Sequence, residues 1–210
     1  MANTERAGAG RRFAIGVTGA SGAIYAVRTI AALLEIGGAL DVVVSEYGRR
    51  LLSEELGGDA KVERLGDLLT RRYGPGVANG TFALRSNRDL GAALASGSHR
   101  CEAMVVVPCS MKTLAAVAHG SSRNLIERAA DVMLKEKRRL VLVPRETPMS
   151  LPELRNLVAA AEAGAMILPA MPAFYQHPKT IDDMIAHTVG KILDQFGIEH
   201  QAFERWHGAS

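Results

Sequence analysis

The chain has 210 residues, 48% of them hydrophobic and 22% charged, with 5% aromatics and a formal net charge of +3. That length buries one sizeable core, so a single α/β domain is the default expectation. So mild an excess of cations, with so few aromatic rings, excludes a nucleic-acid platform and leaves small anions as the natural partners.

The opening MANTERAGAGRR carries charge and glycine but no signal-peptide apolar run, and nothing later reaches roughly 18 uninterrupted apolar residues. The expectation is a cytoplasmic protein without a membrane partner, with a disordered tail at 1–12 and one domain over 13–207. Cys101 and Cys109 are too few for a disulfide framework and lack metal-ligand spacing, so both read as reduced thiols.

The elements begin with an apolar strand, FAIGV at 13–17, followed by a helical pattern over 22–36. A second strand, LDVVVS at 40–45, leads into a helix at about 46–56. From Gly57 to Arg100 the pattern is irregular, with GPG, NG and SGS punctuation; it offers a weak strand near 81–85 and a short helix near 88–95. Then come AMVVVP at 103–108, a helical stretch over 111–136 broken near Gly120, and LVLVP at 140–144. A helix at 150–162, the strand AMILP at 165–169 and a helix at 180–196 complete the chain.

Short continuous apolar runs mark strands buried on both faces of a parallel sheet. Their alternation with helices predicts right-handed crossovers and a three-layer sandwich around an open, mostly parallel sheet. Ligands of such sheets bind beyond the carboxyl ends of the strands. The segments to question are therefore TGASG, SEYG, PCSMKT, PRETP and PAMPAFY.

TGASG joins a strand to a helix, where free amides and the positive end of the helix dipole favour an anion. A dinucleotide fingerprint fits Thr18, Gly19 and Gly22 but meets Tyr25 in place of its third glycine, and Ser45 rather than an acid closes the second strand, although Glu46 follows it. A GxSxG elbow fails at Ala23. What remains is a short turn with a hydroxyl, Ser21, suited to one phosphate or to a flavin edge, or else a plain helix-capping turn. In PCSMKT, Ser110 and Thr113 are placed to cap a helix. In PRETP, Arg145 and Glu146 follow an apolar strand in a loop stiffened by Pro144 and Pro148, which suits them to face a ligand.

TGASG, PCSMKTLA, NLIERAADVMLKE, LVLVPRETP, PAMPAFY and the terminal Arg205–Trp206 together resemble the UbiX family of flavin prenyltransferases. The resemblance spans nearly all of residues 13–206. It implies a flavodoxin-like or Rossmann-type flavin-binding domain and assembly into homododecamers built from trimers, with FMN at subunit interfaces. Such enzymes move a dimethylallyl group from dimethylallyl phosphate onto N5 and then C6 of reduced FMN, and UbiD-type decarboxylases use the product. The resemblance also makes ubiquinone biosynthesis one pathway for that product, beside aromatic-acid breakdown.

By that resemblance Gly19, Ala20, Ser21, Ser45, Ser110, Met111, Lys112, Thr113 and Arg145 contact FMN. Tyr175 and Lys191 grip the donor phosphate, helped by Arg128, Lys135 and Glu146, some of them from a neighbouring subunit. Glu55 matches a carboxylate that assists proton movement during ring closure, with Ser21 beside it in the catalytic set, and Trp206 matches a tryptophan near the donor. Leu90 stands in the loop before SGS where some members carry an aromatic residue.

The chemistry suits these residues. A leaving monophosphate can be held by fixed cations and a phenol, with Glu146 supplying or relaying a proton. Holding the allyl group over the flavin contributes up to about 7–11 kcal/mol through proximity. No metal is expected, because Asp182 and Asp183 are followed by Ala186 where a DDxxD pattern needs a third Asp. His177 and His187 lie near candidate segments and receive no role. The competing expectations on the same scaffold are an FMN-dependent cysteine decarboxylase-like flavoprotein, which would carry an Asn-containing PASANT-like strand end where this chain has PCSMKT, and a non-catalytic flavin carrier.

Overall fold

A computed structural model describes residues 10–205. Among these, six parallel strands form one sheet in the order β3-β2-β1-β4-β5-β6. The strands are β1 (Arg12–Val17), β2 (Ala39–Val44), β3 (Thr81–Arg85), β4 (Ala103–Cys109), β5 (Arg139–Pro144) and β6 (Met166–Ile167). This is the doubly wound order, in which the chain turns back between β1 and β4 and opens a crevice above their carboxyl ends.

The helices divide by the crossover rule. α1 (Ala23–Glu35), α2 (Glu46–Leu56), α3 (Leu65–Tyr73) and α7 (Ile181–Gln195) cover one face. α4 (Met111–Ala118), α5 (Leu125–Lys135) and α6 (Leu151–Glu162) cover the other. The central strands feed both layers: Phe13, Ile15 and Val17 of β1 enter the first core, while Met104 and Val106 of β4 enter the second. All seven residues of β4 are buried, as expected of a strand sandwiched on both faces.

Most expected elements stand within a residue or two of their predicted bounds, including the weak strand at 81–85. Three differ. The short helix expected near 88–95 is only a 3-10 turn at Ala93–Ala95, because the Asp89 side chain accepts from Gly91 N at 3.0 Å and turns the chain first. α3 was not foreseen at all. Finally, β1 already starts at Arg12, inside the stretch expected to be tail, and Arg11 donates to Glu102 at 2.7 Å and to the Phe196 carbonyl at 2.8 Å. Residues 1–9 of that expected tail lie outside the described residues.

Among the described residues, no helix is long and apolar enough to cross a membrane. Both thiols are free and buried; burial, with the Asp41 charge adding to it, pushes Cys101 up to about 12, and burial pushes Cys109 up as well.

Candidate functional site

The crevice at the strand reversal is closed at its floor by one hydroxyl. Thr18, the first residue past β1, is 2% exposed; its Oγ1 donates to the Pro108 carbonyl at 2.8 Å and accepts from Ser110 N at 2.7 Å. The loops after β1 and β4 are thereby locked side by side. Above them lies a cleft of 440 Å³, within the range of small-molecule sites, lined by Thr18, Gly19, Ser45, Tyr47, Asn87, Ser110, Lys112, Thr113, Asn124 and Glu127 among others.

Three helices begin at this cleft, each capped by its own side chain. Ser45 Oγ accepts from Gly48 N at 3.1 Å, Ser110 Oγ from Thr113 N at 3.3 Å, and Asn124 Oδ1 from Glu127 N at 3.1 Å. The positive ends of α2, α4 and α5 therefore converge on one volume, with Lys112 among its lining residues. At the start of α4, the Met111 and Lys112 amides have no intrahelical acceptor and are available to an anion. Met111 offers only its backbone there, since its side chain is 7% exposed and packs into the second core. Gly19 is required by close approach: a Cβ at that position would lie 2.5 Å from Tyr47 Cβ.

The start of α1 is different. Gly22 N and Ala23 N donate to the Glu55 carboxylate at 2.9 and 2.8 Å, so this helix end is filled by the chain's own α2. A phosphate seat at the TGASG turn is thus occupied from within, which leaves the exposed Ser21 hydroxyl as the turn's group for a ligand. Arg145 Nε donates to the Ser21 carbonyl at 3.2 Å and draws the loop after β5 to the same rim. Its neighbour Glu146 accepts from Thr147 N at 3.1 Å. Glu55 and Arg145 thus both bond the turn that carries Ser21, with Glu146 next to Arg145 in the chain, while none of the four lines the cleft itself; Ala20 in the same turn is buried at 6% exposure.

A second cluster forms on α7. Tyr175, 60% exposed, places its hydroxyl 3.5 Å from His187 Nε2, and Lys191 follows His187 by one helical turn. Lys191 Nζ lies 3.4 Å from Asp194, which also receives Arg205 at 2.7 Å and lies 3.1 Å from His200. This anchors the segment 200–205 across α7 at Gly190, where a Cβ would meet the Phe203 ring at 2.5 Å. Asp183 accepts from Lys179 N and Thr180 N, both at 2.9 Å, as part of the α7 capping box.

Arg128 and Lys135 are not brought to either cluster. Arg128 donates to the Ala95 carbonyl at 3.1 Å and to Asp131 at 2.7 Å. Lys135 closes α5, about 16 Å along the helix from the cap at Asn124, beside Glu136 at 3.9 Å. Leu90 is 48% exposed in the loop after β3. Trp206 lies outside the described residues.

Sequence reasoning reached Tyr47 only as part of the SEYG segment and missed Asn87, Asn124 and Glu127 as cleft residues. Asn124 and Glu127 had a signal, a capping residue followed three positions later by an acid. Asn87 had none: its Oδ1 accepts from Ile126 N at 3.2 Å across 39 residues of sequence.

The flavoprotein family model matches residues 1–192. A flavin prenyltransferase UbiX of Halalkalibacterium halodurans is 45% identical over 92% of this chain and 92% of its own. The crystal structure of AnUbiX (PadA1) in complex with FMN and dimethylallyl pyrophosphate superposes with a TM-score of 0.84 at 39% identity, covering 95% of this chain and 99% of that one. A dodecameric FMN-dependent UbiX-like decarboxylase from Escherichia coli O157:H7 superposes at 0.82 and 39% identity, covering 94% and 100%. The cysteine decarboxylase SpaF, at 19% identity and a TM-score of 0.57 over 77% of this chain and 85% of its own, shares the fold alone.

Proposed function

Because this chain belongs to the UbiX family of flavin prenyltransferases, we propose that its crevice binds FMN and its α7 cluster receives a dimethylallyl phosphate for transfer to the flavin. The observation that carries this reading is the convergence of three capped helix starts and Lys112 on one cleft at the strand reversal. Such a cleft fits a lone mononucleotide: it offers unspent amides, hydroxyls and one cation for a single phosphate. The α1 start, where a dinucleotide would seat its pyrophosphate, is filled by Glu55.

In this reading Gly19, Ala20, Ser21, Ser45, Ser110, Met111, Lys112, Thr113 and Arg145 hold FMN. Reduced FMN would be the acceptor substrate: N5 would displace the phosphate from the allylic carbon, and C6 would then bond the tertiary carbon as the alkene takes up one proton and C6 gives up one. Tyr175 and Lys191 hold the donor phosphate, and Glu146 protonates it as it departs. Ser21 and Glu55 move the proton released on ring closure; Glu55 already touches the turn that carries Ser21. Fixed cations and dipoles at the leaving phosphate stabilise charge that develops in the transition state without reorganisation. The monophosphate is the proposed donor, although the AnUbiX structure holds a pyrophosphate.

Arg128 and Lys135 reach the donor from a neighbouring copy. The packing of α5 and α7 on opposite faces of the sheet supports this, as does the dodecameric relative. An apolar stripe on α6, formed by Leu151, Leu154 and Val158 at 58%, 46% and 58% exposure, supplies a surface for self-association. A cytoplasmic homo-oligomer that hands its product to a UbiD-type decarboxylase completes the proposal.

The test is anaerobic incubation of the purified protein with FMN, a reductant and dimethylallyl phosphate, followed by mass spectrometry of the flavin. A gain of one five-carbon unit supports prenyl transfer. Bound flavin of unchanged mass overturns it.

A further inference from the structure

α7 carries a titratable ring that the proposed reaction leaves without a task. His187 meets Tyr175 edge-on with ring centroids 6.1 Å apart, and packs against the tilted Phe203 ring at 4.9 Å. Its Nδ1 is buried with no hydrogen-bond partner among the described residues. In an interior, an unpaired N–H is costlier than an unpaired lone pair, so the neutral ring carries its proton on Nε2. Burial pushes the imidazole pKa down and Lys191 reinforces this, against an upward pull from Asp194. Protonation would also create a buried, unpaired Nδ1–H.

With the proton on Nε2, that nitrogen donates to the Tyr175 oxygen 3.5 Å away. The contact is long for a hydrogen bond, as contacts of a catalytic site often are before the substrate arrives. The phenol then has its own proton left for another acceptor. Lys191 stands one turn further along the same helix face, its Nζ 3.4 Å from Asp194, and brings a cation to that face that favours a negative acceptor there.

We infer that His187 is a positioning residue: its Nε2–H holds the Tyr175 phenol as a hydrogen-bond donor toward the anionic phosphate that Tyr175 and Lys191 receive. This rests on the assignment of those two residues to the donor phosphate. The opposite tautomer would make Tyr175 spend its proton on the ring and present only lone pairs to an anion, which repels it.

The experiment combines calorimetric binding of dimethylallyl phosphate to the FMN-loaded protein with steady-state transfer at saturating reduced FMN. His187→Phe keeps a planar ring but deletes Nε2–H, whereas His187→Gln keeps an N–H near the same place. We expect His187→Phe to weaken binding by roughly three- to tenfold, the worth of one neutral hydrogen bond. KM should rise in step with little change in kcat, as for lost uniform binding. Tyr175→Phe should do the same, the double variant should bind no worse than the weaker single one, and His187→Gln should recover most of the loss. Wild-type binding by His187→Phe, or losses that multiply in the double variant, would overturn the inference while leaving prenyl transfer intact. A wild-type protein that neither binds dimethylallyl phosphate nor transfers the group overturns the function and this inference with it.

Discussion

Asp41 is the deepest charge in the sheet, and replacing it with Asn tests how the cleft is held. On β2 its side chain is 1% exposed, yet it accepts from Arg85 Nε at 2.8 Å and Arg12 Nη1 at 3.2 Å, with His99 Nε2 at 3.1 Å. Burial alone would raise its carboxyl pKa; the hydrogen bonds from Arg85, His99 and Arg12 and the charge of Arg85 outweigh it and hold the group below the usual carboxylate range. Removing one partner of a buried ion pair costs ~3–5 kcal/mol. Both arginine side chains are 40% exposed, so water takes over part of their solvation in the variant. The expected cost is the low end, about 3 kcal/mol, or roughly 6–12 °C in melting midpoint for a chain of this size.

The assay is thermal melting of wild type and Asp41→Asn at equal protein concentration across a pH series. Because the folded pKa lies below the unfolded one, the stabilisation is fully present above about pH 4 and is lost as pH falls through the lower folded value. The gap between the two proteins should therefore be constant near neutrality and close only in acid. FMN affinity should fall as well, since Arg85 precedes the turn carrying Asn87, whose carbonyl accepts from Leu125 N at 2.9 Å at the start of α5. A gap of under roughly 2 °C at pH 7 would refute the reasoning.

Thr18→Val should leave Ser110 N without its buried acceptor and the Pro108 carbonyl with the Thr18 backbone N–H alone, costing about 1–3 kcal/mol and weakening FMN binding; melting and a flavin fluorescence titration read both, and unchanged FMN affinity would count against the floor of the cleft. Glu146→Gln should leave FMN affinity intact while slowing transfer by roughly a hundredfold, as expected for loss of a proton donor. Parallel loss of binding and rate would instead make that carboxylate architectural. Leu154→Glu, on the exposed stripe of α6, should lower the mass measured by light scattering without unfolding the subunit, and an unchanged mass would remove α6 from the subunit contact.

The fold was legible wherever local pattern and tertiary burial agree. Runs such as FAIGV and AMVVVP are apolar on every residue because both sheet faces are covered, and no amphipathic reading competes with them. α3 was hidden for a physical reason: it is nine residues long, contains Gly66 and is bounded by Gly74–Pro75, so breakers obscured the Leu65, Leu68, Leu69 spacing that buries it. At the site, residues directly past each strand were readable because the topology sends them all to one edge. Asn87 was not, since it reaches the cleft through a contact with Ile126 that only the folded chain creates.

Glu55 gives the molecule a tethered counter-ion at the crossover where nucleotide-binding sheets commonly accept their ligands' phosphates. Any incoming pyrophosphate would have to evict a carboxylate whose covalent attachment keeps its local concentration high. The two amides at the α1 start are thus already neutralised from within the chain before a ligand arrives.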